Sequence, residues 1–183
     1  MSYAYNGEKL FDGNKITDFS VVAALYMEQV QIITLDSSIK TVADLKGKTV
    51  SIGAKGSGVY FNALDLLGAY GLTENDIKAE YLDFGDSADS LKDGKIDAAF
   101  IVAGAPTPAV QDLGTGKQVY LVSLDKEHID SLIASSPYYK EYTIAKDVYG
   151  TPEDVTTVAV AAVIIARNDV SEACLLYTSD AAD

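Results

Sequence analysis

Short apolar runs alternate along the chain with segments whose apolar residues recur every three or four positions. The runs lie at residues 49–52, 79–82, 97–103 and 120–124, with glycine or aspartate close to each end. Runs of this length and composition are typical of buried parallel strands, and the three-to-four spacing is typical of helices. Because the two kinds of segment follow one another in turn, the pattern predicts an α/β fold with a mostly parallel sheet and helices on both faces.

One long apolar stretch and a shorter one before it predict strands that cross between two lobes. Residues 156–166 form a run longer than a lobe-sized sheet needs, and residues 30–35 are its predicted outgoing partner. Another apolar run, at residues 19–25, precedes that partner. The polar residues in this region are either strand-edge positions or ligand contacts, and the sequence leaves both open: Tyr26, Glu28 and Gln31.

The stretch at residues 49–62 joins a strand to a helix through a turn that is dense in glycine. Gly53, Gly56 and Gly58 let the backbone turn tightly and approach a ligand closely. Ser57 is the predicted helix cap, and its hydroxyl can bind an anion together with the first free N–H groups of the helix. The sequence therefore indicates a small anion site here, although an ordinary strand-to-helix turn would have the same residues.

The known phosphate and nucleophile motifs do not fit this turn. Its glycine spacing is that of a P-loop, but Val59 and Tyr60 stand where lysine and serine or threonine are required. A dinucleotide fingerprint needs a third small residue, and none follows Gly58 at the required place. A nucleophile elbow needs one residue between the serine and each glycine, whereas glycines flank Ser57 directly. A carboxylate is the simplest anion that remains.

A second strand end leads into a similar loop. The strand at residues 97–103 is followed by a small-residue loop at residues 104–107, where Thr107 is placed to cap a helix over residues 108–113. Loops at the carboxyl ends of neighbouring parallel strands meet at one crevice. The sequence thus predicts that Ser57 and Thr107 lie on the same side of the sheet.

Composition narrows the range of partners and of chemistry. The formal net charge is -13 and no basic run is present, which argues against nucleic acid and anionic membrane as partners. Cys174 is the only cysteine and His128 the only histidine, so we expect no metal site and no thiol chemistry. No cofactor and no catalytic residue are predicted.

The patterns divide the chain into four parts. Residues 1–35 are predicted to be part of lobe one with the first crossing strand, residues 36–155 lobe two, and residues 156–173 the return crossing strand. Residues 174–183 resemble the translation of a transposase adapter used to prepare sequencing libraries. We therefore interpret that tail as a cloning scar.

Four stretches together resemble the TAXI group of periplasmic solute receptors, which serve tripartite ATP-independent periplasmic (TRAP) transporters. They lie at residues 25–31, 42–58, 91–100 and 155–160, in the order and spacing of that family. The resemblance implies a periplasmic-binding-protein-like fold, as one nearly complete lobe plus part of the second, joined by crossing strands. It also implies that a signal peptide, an N-terminal segment with its own glycine-rich ligand loop and the C-terminal helices lie outside this sequence.

The same resemblance implies a receptor that closes on a small organic anion and delivers it to the membrane permease of a TRAP transporter. Expected ligands are a dicarboxylate or an acidic amino acid, such as glutamate, succinate or 2-oxoglutarate. The expected location is periplasmic or extracellular, free or lipid-anchored. The ligand contacts carried over from the family, or matching its crossing region, are Tyr26, Gly53, Ser57, Gly58, Val59, Gly104, Ala105, Pro106 and Thr107.

A non-enzymatic receptor accounts best for the two loops, the crossing strands and the lack of a catalytic set. An enzyme would need an acid, a base, a nucleophile or a metal cluster at the crevice, but Asp83, Asp86 and Glu28 are spread along the chain. Asp86 or Ser87 is instead the predicted cap of the helix that follows. Two alternatives to the receptor stay open. One is the effector-binding domain of a transcription regulator, which shares the two-lobed plan, and the other is a small α/β enzyme.

Overall fold

The computed structural model describes residues 1–171 and Cys174. The chain forms two compact units: residues 27–161 make up one, and residues 1–26 with the chain from residue 162 onward make up the other. The tail that we interpret as a cloning scar lies outside the described residues except for Cys174. The division into lobes proposed from the sequence stays a prediction.

Strands and α-helices alternate through most of the described chain. The strands are β1 (Phe19–Thr34), β2 (Thr49–Ser51), β3 (Lys78–Glu80), β4 (Ala98–Ala103), β5 (Tyr120–Leu121), β6 (Lys140–Ile144) and β7 (Val155–Arg167). The helices are α1 (Ser2–Asn6), α2 (Gly58–Ala69), α3 (Phe84–Lys92), α4 (Pro108–Gly114) and α5 (Lys126–Ser135). None of the helices in the described residues is long and apolar enough to cross a bilayer.

Three of the four predicted parallel strands, β2, β3 and β4, lie together at one end of the sheet. Its order is β3-β2-β4-β1-β7-β6, with β5 also paired to β1. β2 runs parallel to both of its neighbours, and Val50 lies opposite Ala98 in β4. Asp97, just before β4, accepts a hydrogen bond of 2.7 Å from the backbone N–H of Thr49, which ties the starts of the two strands together.

The expectation of a mostly parallel sheet is wrong. β1 runs antiparallel to β4 and to β5, and β6 runs antiparallel to β7. The two predicted runs at residues 19–25 and 30–35 are a single strand, β1, because the polar residues between them stay extended. An apolar run reads the same in either direction, so the hydrophobic pattern predicts a strand without giving its orientation.

Helices cover both faces of the sheet in the unit formed by residues 27–161, as predicted. Val30 and Ile32 of β1 and Phe100 of β4 belong to a core that also contains residues of α2 and α5. Ile33 and Ile101 point to the other face, into a core with residues of α3 and α4. Each fully buried isoleucine or valine contributes about 1.5–3 kcal/mol, so this strict alternation fixes the register of the two central strands.

The unit formed by residues 1–26 and the chain from residue 162 has a more exposed apolar surface. The ring of Tyr5 packs edge-on against Phe19, with 6.2 Å between the ring centroids. Ser20 donates a hydrogen bond of 2.7 Å to the side chain of Asn168, which joins the outer ends of the two long strands. Several large apolar side chains on these strands are about half exposed: Val21, Val22, Leu25, Ile164 and Ile165.

Asp125 holds the beginning of α5. Its carboxylate accepts a hydrogen bond from the backbone N–H of His128 at 3.1 Å and from the hydroxyl of Tyr70 at 2.8 Å. The His128 ring stacks on the Tyr70 ring at 3.8 Å and places Nδ1 2.7 Å from the same carboxylate. Burial opposes ionisation of Asp125, but the hydrogen bonds from His128 and Tyr70 outweigh it and lower the pKa to about 2.

We predict that Asp125→Ala lowers the free energy of unfolding by about 1 kcal/mol at neutral pH, the usual effect of losing a helix cap. The pKa of Asp125 is lower in the folded chain than the ordinary value of 3.8, so the unfolded chain binds this proton more tightly. The stabilisation is therefore complete above about pH 5 and is lost as the pH falls toward 2.

Urea denaturation of both proteins at a series of pH values measures this difference. The difference in the free energy of unfolding between the wild type and Asp125→Ala should become smaller as the solution becomes more acidic. Asp112→Ala, which changes an exposed aspartate of α4, is the matched control and should show no such narrowing. A gap that stays constant down to the lowest pH would contradict the assigned role of the carboxylate.

Candidate functional site

The glycine-rich turn between β2 and α2 has the geometry that its sequence predicts. Gly53 and Gly56 have positive φ angles of 77° and 80°, which only glycine adopts freely. Ser57 is the N-cap of α2, and its Oγ accepts a hydrogen bond of 3.1 Å from the backbone N–H of Tyr60. The predicted cap is confirmed, and the N-terminus of a twelve-residue helix follows directly.

Two glycines of this turn differ sharply in their surroundings. A Cβ atom added to Gly53 would lie 2.7 Å from Cβ of Val59, and the residue is buried. A Cβ atom added to Gly58 would meet no protein atom within 4 Å, and this residue is exposed. Gly53 therefore serves the packing of the turn onto α2, whereas Gly58 leaves open space at the start of the helix.

The loop at residues 104–107 is held by a ring of hydrogen bonds. Thr107 donates its backbone N–H to the hydroxyl of Tyr149 at 2.7 Å, and Tyr149 donates to Oε1 of Gln31 at 2.6 Å. The amide nitrogen of Gln31 lies 3.1 Å from Oγ1 of Thr107 and 3.1 Å from the carbonyl oxygen of Ala103, and donates to both. The Thr107 hydroxyl in turn donates to the carbonyl of Gly104 at 3.0 Å. Gln31 and Thr107 are 1% and 5% exposed, whereas Tyr149 and Gly104 are half-buried, so the ring is buried on the side of Gln31 and Thr107.

Gln29 anchors the middle of the same loop. Its Oε1 accepts a hydrogen bond of 2.7 Å from the backbone N–H of Ala105. Gln29 lies opposite Ala103 in the pairing of β1 with β4, and Gln31 points to the same face two residues later. The sequence left Gln31 open as a ligand contact or an edge residue, but the structure shows it buried and bonded to the loop.

Thr107 does not use its side chain as a helix cap, although it stands at the N-cap position of α4. Its hydroxyl is committed to Gly104 and Gln31.

The cap of α3 also differs from the expectation. Asp83, rather than Asp86 or Ser87, accepts the capping hydrogen bond, at 2.8 Å from the backbone nitrogen of Asp86. Asp83 directly precedes the first helical residue, and a side chain at that position can accept from the free N–H groups of the first turn.

The sheet places the two loops at one edge, as predicted. The turn that contains Ser57 follows β2 and the loop that contains Thr107 follows β4, and these strands are parallel neighbours. Their carboxyl ends therefore point the same way. Tyr26 lies in the other unit and is 57% exposed, so its expected ligand contact stays a prediction.

The remaining predicted contacts surround these two loops. Val59 is half-buried against Gly53, and Gly104 and Ala105 are half-buried beside the glutamine anchors. Pro106 is exposed at the tip of its loop, and the peptide bond before it is cis. The loop is thus half-buried at Gly104 and Ala105, exposed at Pro106 and buried at Thr107.

A charged and aromatic cluster, formed by Lys55, Tyr60, Glu74 and Tyr81, lies beside the glycine-rich turn. Nζ of Lys55 lies 4.4 Å from the centre of the Tyr81 ring. The hydroxyls of Tyr81 and Tyr60 both donate to the carboxylate of Glu74, the latter at 2.9 Å. The hydrogen bond from Tyr81, aided by Tyr60 and by the charge of Lys55, lowers the pKa of Glu74. Sequence reasoning missed this cluster because its members are up to 26 residues apart.

Metal ligation and acid–base chemistry depend on acidic side chains that are uncommitted and lie together. No group of three or more histidine, cysteine or acidic side chains that could hold a metal ion occurs in the described part of the chain. Asp83 is engaged as a helix cap and Glu74 by two tyrosines. Partial burial raises the pKa of Glu28, but its sequence neighbour Gln29, not Glu28, reaches the loop.

The fold is that of the periplasmic binding proteins. The structure matches the periplasmic aliphatic sulphonate binding protein SsuA from Escherichia coli with a TM-score of 0.50 and 22% identity, over 79% of this chain and 41% of that protein. It matches an ancestral arginine-binding protein bound to arginine with a TM-score of 0.51 and 19% identity, over 86% of this chain and 54% of that protein. The chain thus spans about half the length of these proteins, and the predicted fold class is confirmed.

A family model described as the NMT1-like family matches residues 1–177. The match takes in both compact units of the chain. The comparisons together support the fold of a type II periplasmic binding protein. They do not identify the TAXI group in particular, so the resemblance to that group stays a prediction.

We predict opposite effects of adding a methyl group at the two glycines. Gly53→Ala should lower the free energy of unfolding by about 2 kcal/mol or more, because the new Cβ overlaps Val59 and the positive φ is strained. Gly58→Ala should change it by no more than about 1 kcal/mol, toward higher stability, because the methyl group has room and alanine favours a helix. Urea denaturation of the two variants side by side measures this. Equal losses would show that the turn does not pack as described.

Proposed function

We propose, since the chain belongs to the NMT1-like family, that it acts as an extracytoplasmic solute receptor that binds a small organic anion. The observation that carries this proposal is the glycine-rich turn at the carboxyl edge of the sheet, with Ser57 as the helix cap and open space beside Gly58. In open α/β sheets, ligands bind in the crevice at this edge. A helix N-terminus there favours a negative group.

The charge of the protein determines how such a site must work. With a net charge of -13, the chain repels anions at long range, so binding must rest on local donors. The hydroxyl of Ser57 and the N–H groups at the start of α2 are such donors. Lys55 adds a cation in the same turn, although Glu74 balances its charge nearby.

The ligand class proposed first is the one that the TAXI resemblance implies. It comprises dicarboxylates and acidic amino acids, with glutamate, succinate and 2-oxoglutarate as examples. The same resemblance favours the permease of a TRAP transporter as the partner and a periplasmic or extracellular location. A sulphonate is an anion of similar geometry, so an alkanesulphonate belongs in the same test.

The proposed receptor is not an enzyme. Of the acidic residues considered as catalysts, Asp83 is engaged as a cap, and Glu28 belongs to no group of side chains in the described residues that could hold a metal ion. The arrangement of the two loops can hold an anion without an acid, a base or a nucleophile to transform it. Tyr26, Gly53, Gly58, Val59 and residues 104–107 stay proposed as contacts that shape the pocket.

We predict that Ser57→Ala weakens anion binding by roughly ten- to a hundredfold, because it removes a charge-assisted hydrogen bond of about 1.5–3 kcal/mol. Calorimetric titration of the full-length protein with glutamate, succinate, 2-oxoglutarate and ethanesulphonate first identifies which acid binds. The variant is then titrated with that acid.

The matched control is Asp125→Ala, which removes a helix cap from α5 instead of α2. It should lose a similar amount of stability and bind the acid as the wild type does. Gly58→Val should weaken binding further than Ser57→Ala, because it fills the space through which the ligand approaches the helix. If an acid binds and neither change in this turn alters its affinity, the site assignment is wrong.

A further inference from the structure

The loop at residues 104–107 has almost no hydrogen-bond donor left for a ligand. The N–H of Ala105 donates to Gln29 and the N–H of Thr107 donates to Tyr149. The hydroxyl of Thr107 donates to the carbonyl of Gly104. Pro106 carries no N–H group, so at most the N–H of Gly104 stays available among the four residues.

This arrangement differs from that of the glycine-rich turn. Oγ of Ser57 accepts one hydrogen bond, from the backbone N–H of Tyr60, and the hydroxyl hydrogen stays available to a ligand. The two loops therefore cannot play the same part, even though both follow parallel strands at the same edge of the sheet. The turn at Ser57 supplies donors, and the loop at residues 104–107 supplies a fixed surface.

We propose that Gln29, Gln31 and Tyr149 are positioning residues that fix this loop as a preformed wall of the ligand site. They come from two different parts of the fold: the glutamines from β1, and Tyr149 from the residue after the 3₁₀ turn at Lys146–Val148. All of them lie in the unit formed by residues 27–161. This inference rests on the proposed function for its effect on a ligand, but the hydrogen-bond network itself can be tested without one.

The network is well suited to hold a loop in one conformation. Gln29 and Gln31 are 4% and 1% exposed, and each of their amide groups has protein partners. No buried side-chain nitrogen or oxygen in the described residues lacks a hydrogen bond. Breaking one link would leave a buried polar group without a partner. This costs far more free energy than the loss of a hydrogen bond at the surface, where water replaces the partner. A loop fixed in this way need not be ordered when the ligand binds.

Amide hydrogen exchange, read residue by residue by NMR on the full-length protein without ligand, tests the network. In Tyr149→Phe, exchange at the Thr107 amide should become about tenfold faster or more, because its acceptor is gone. In Gln29→Met, the Ala105 amide should respond in the same way. The Tyr60 amide, which is bonded to Ser57, is the internal reference and should not change in either variant.

Two controls separate a local effect from general destabilisation. Tyr142→Phe removes the hydroxyl of a tyrosine that is 40% exposed in β6 and should leave all three amides unchanged. Thr107→Ser keeps the hydroxyl and should exchange its loop amides as slowly as the wild type. Thr107→Val has the same shape without the hydroxyl, so its loop amides should exchange faster. If Thr107→Val and Thr107→Ser exchange alike, or Tyr149→Phe leaves the Thr107 amide as slow as before, the proposal is overturned.

Titration with glutamate, succinate, 2-oxoglutarate and ethanesulphonate then measures the effect on binding. For the acid that binds, Tyr149→Phe and Thr107→Val should each weaken the affinity about tenfold. Thr107→Ser should bind that acid with the affinity of the wild type. Faster exchange with unchanged affinity would show that the wall has no part in binding and would overturn the positioning role. If none of the four acids binds the wild type, the proposed function fails, and the exchange data alone decide whether the residues position the loop.

Discussion

The antiparallel pairing of β1 with β4 is the interaction on which the rest of the described fold depends. It sets Ile32 opposite Phe100 and Ile33 opposite Ala99, so that alternate residues of both strands enter the two cores. A shift of the register by one residue would turn every one of these side chains to the wrong face. The same register brings Gln29 level with Ala103, and with it both glutamines to the loop that follows β4.

The sequence predicted most of the strands and helices, although not β6, because most of them depend on local patterns. The glycines and Ser57 of the first turn, the long strand β7 and the helices on both faces follow from spacing and capping preferences. The direction of β1 could not be predicted, because strand polarity depends on which neighbour the strand pairs with. The cap of α3 was misplaced for a local reason: several acidic and hydroxyl residues stand close together, and only Asp83 lies just before the first helical residue.

The candidate site was predictable only where its residues adjoin in sequence. The turn around Ser57 contains its own glycines and cap, and a reader of the sequence can recognise it. The ring around Thr107 joins it to Gln31 and Tyr149, which lie 76 and 42 residues away. The spacing of Gln29 and Gln31 within an apolar strand gave a partial signal, because residues two apart face the same way. Nothing in the sequence around Tyr149 marked its role.

The open space beside Gly58 has a practical consequence for reporting on the ligand. An added side chain at this position meets no protein atom, and it stands at the first turn of α2. The sequence contains one cysteine, Cys174, in the tail that we interpret as a cloning scar. With that cysteine replaced, a thiol introduced at position 58 would be open to alkylation, and an anion bound at the proposed site would slow that reaction by occupying the same space. The rate at which the thiol is modified would thus report how much of the proposed site is occupied.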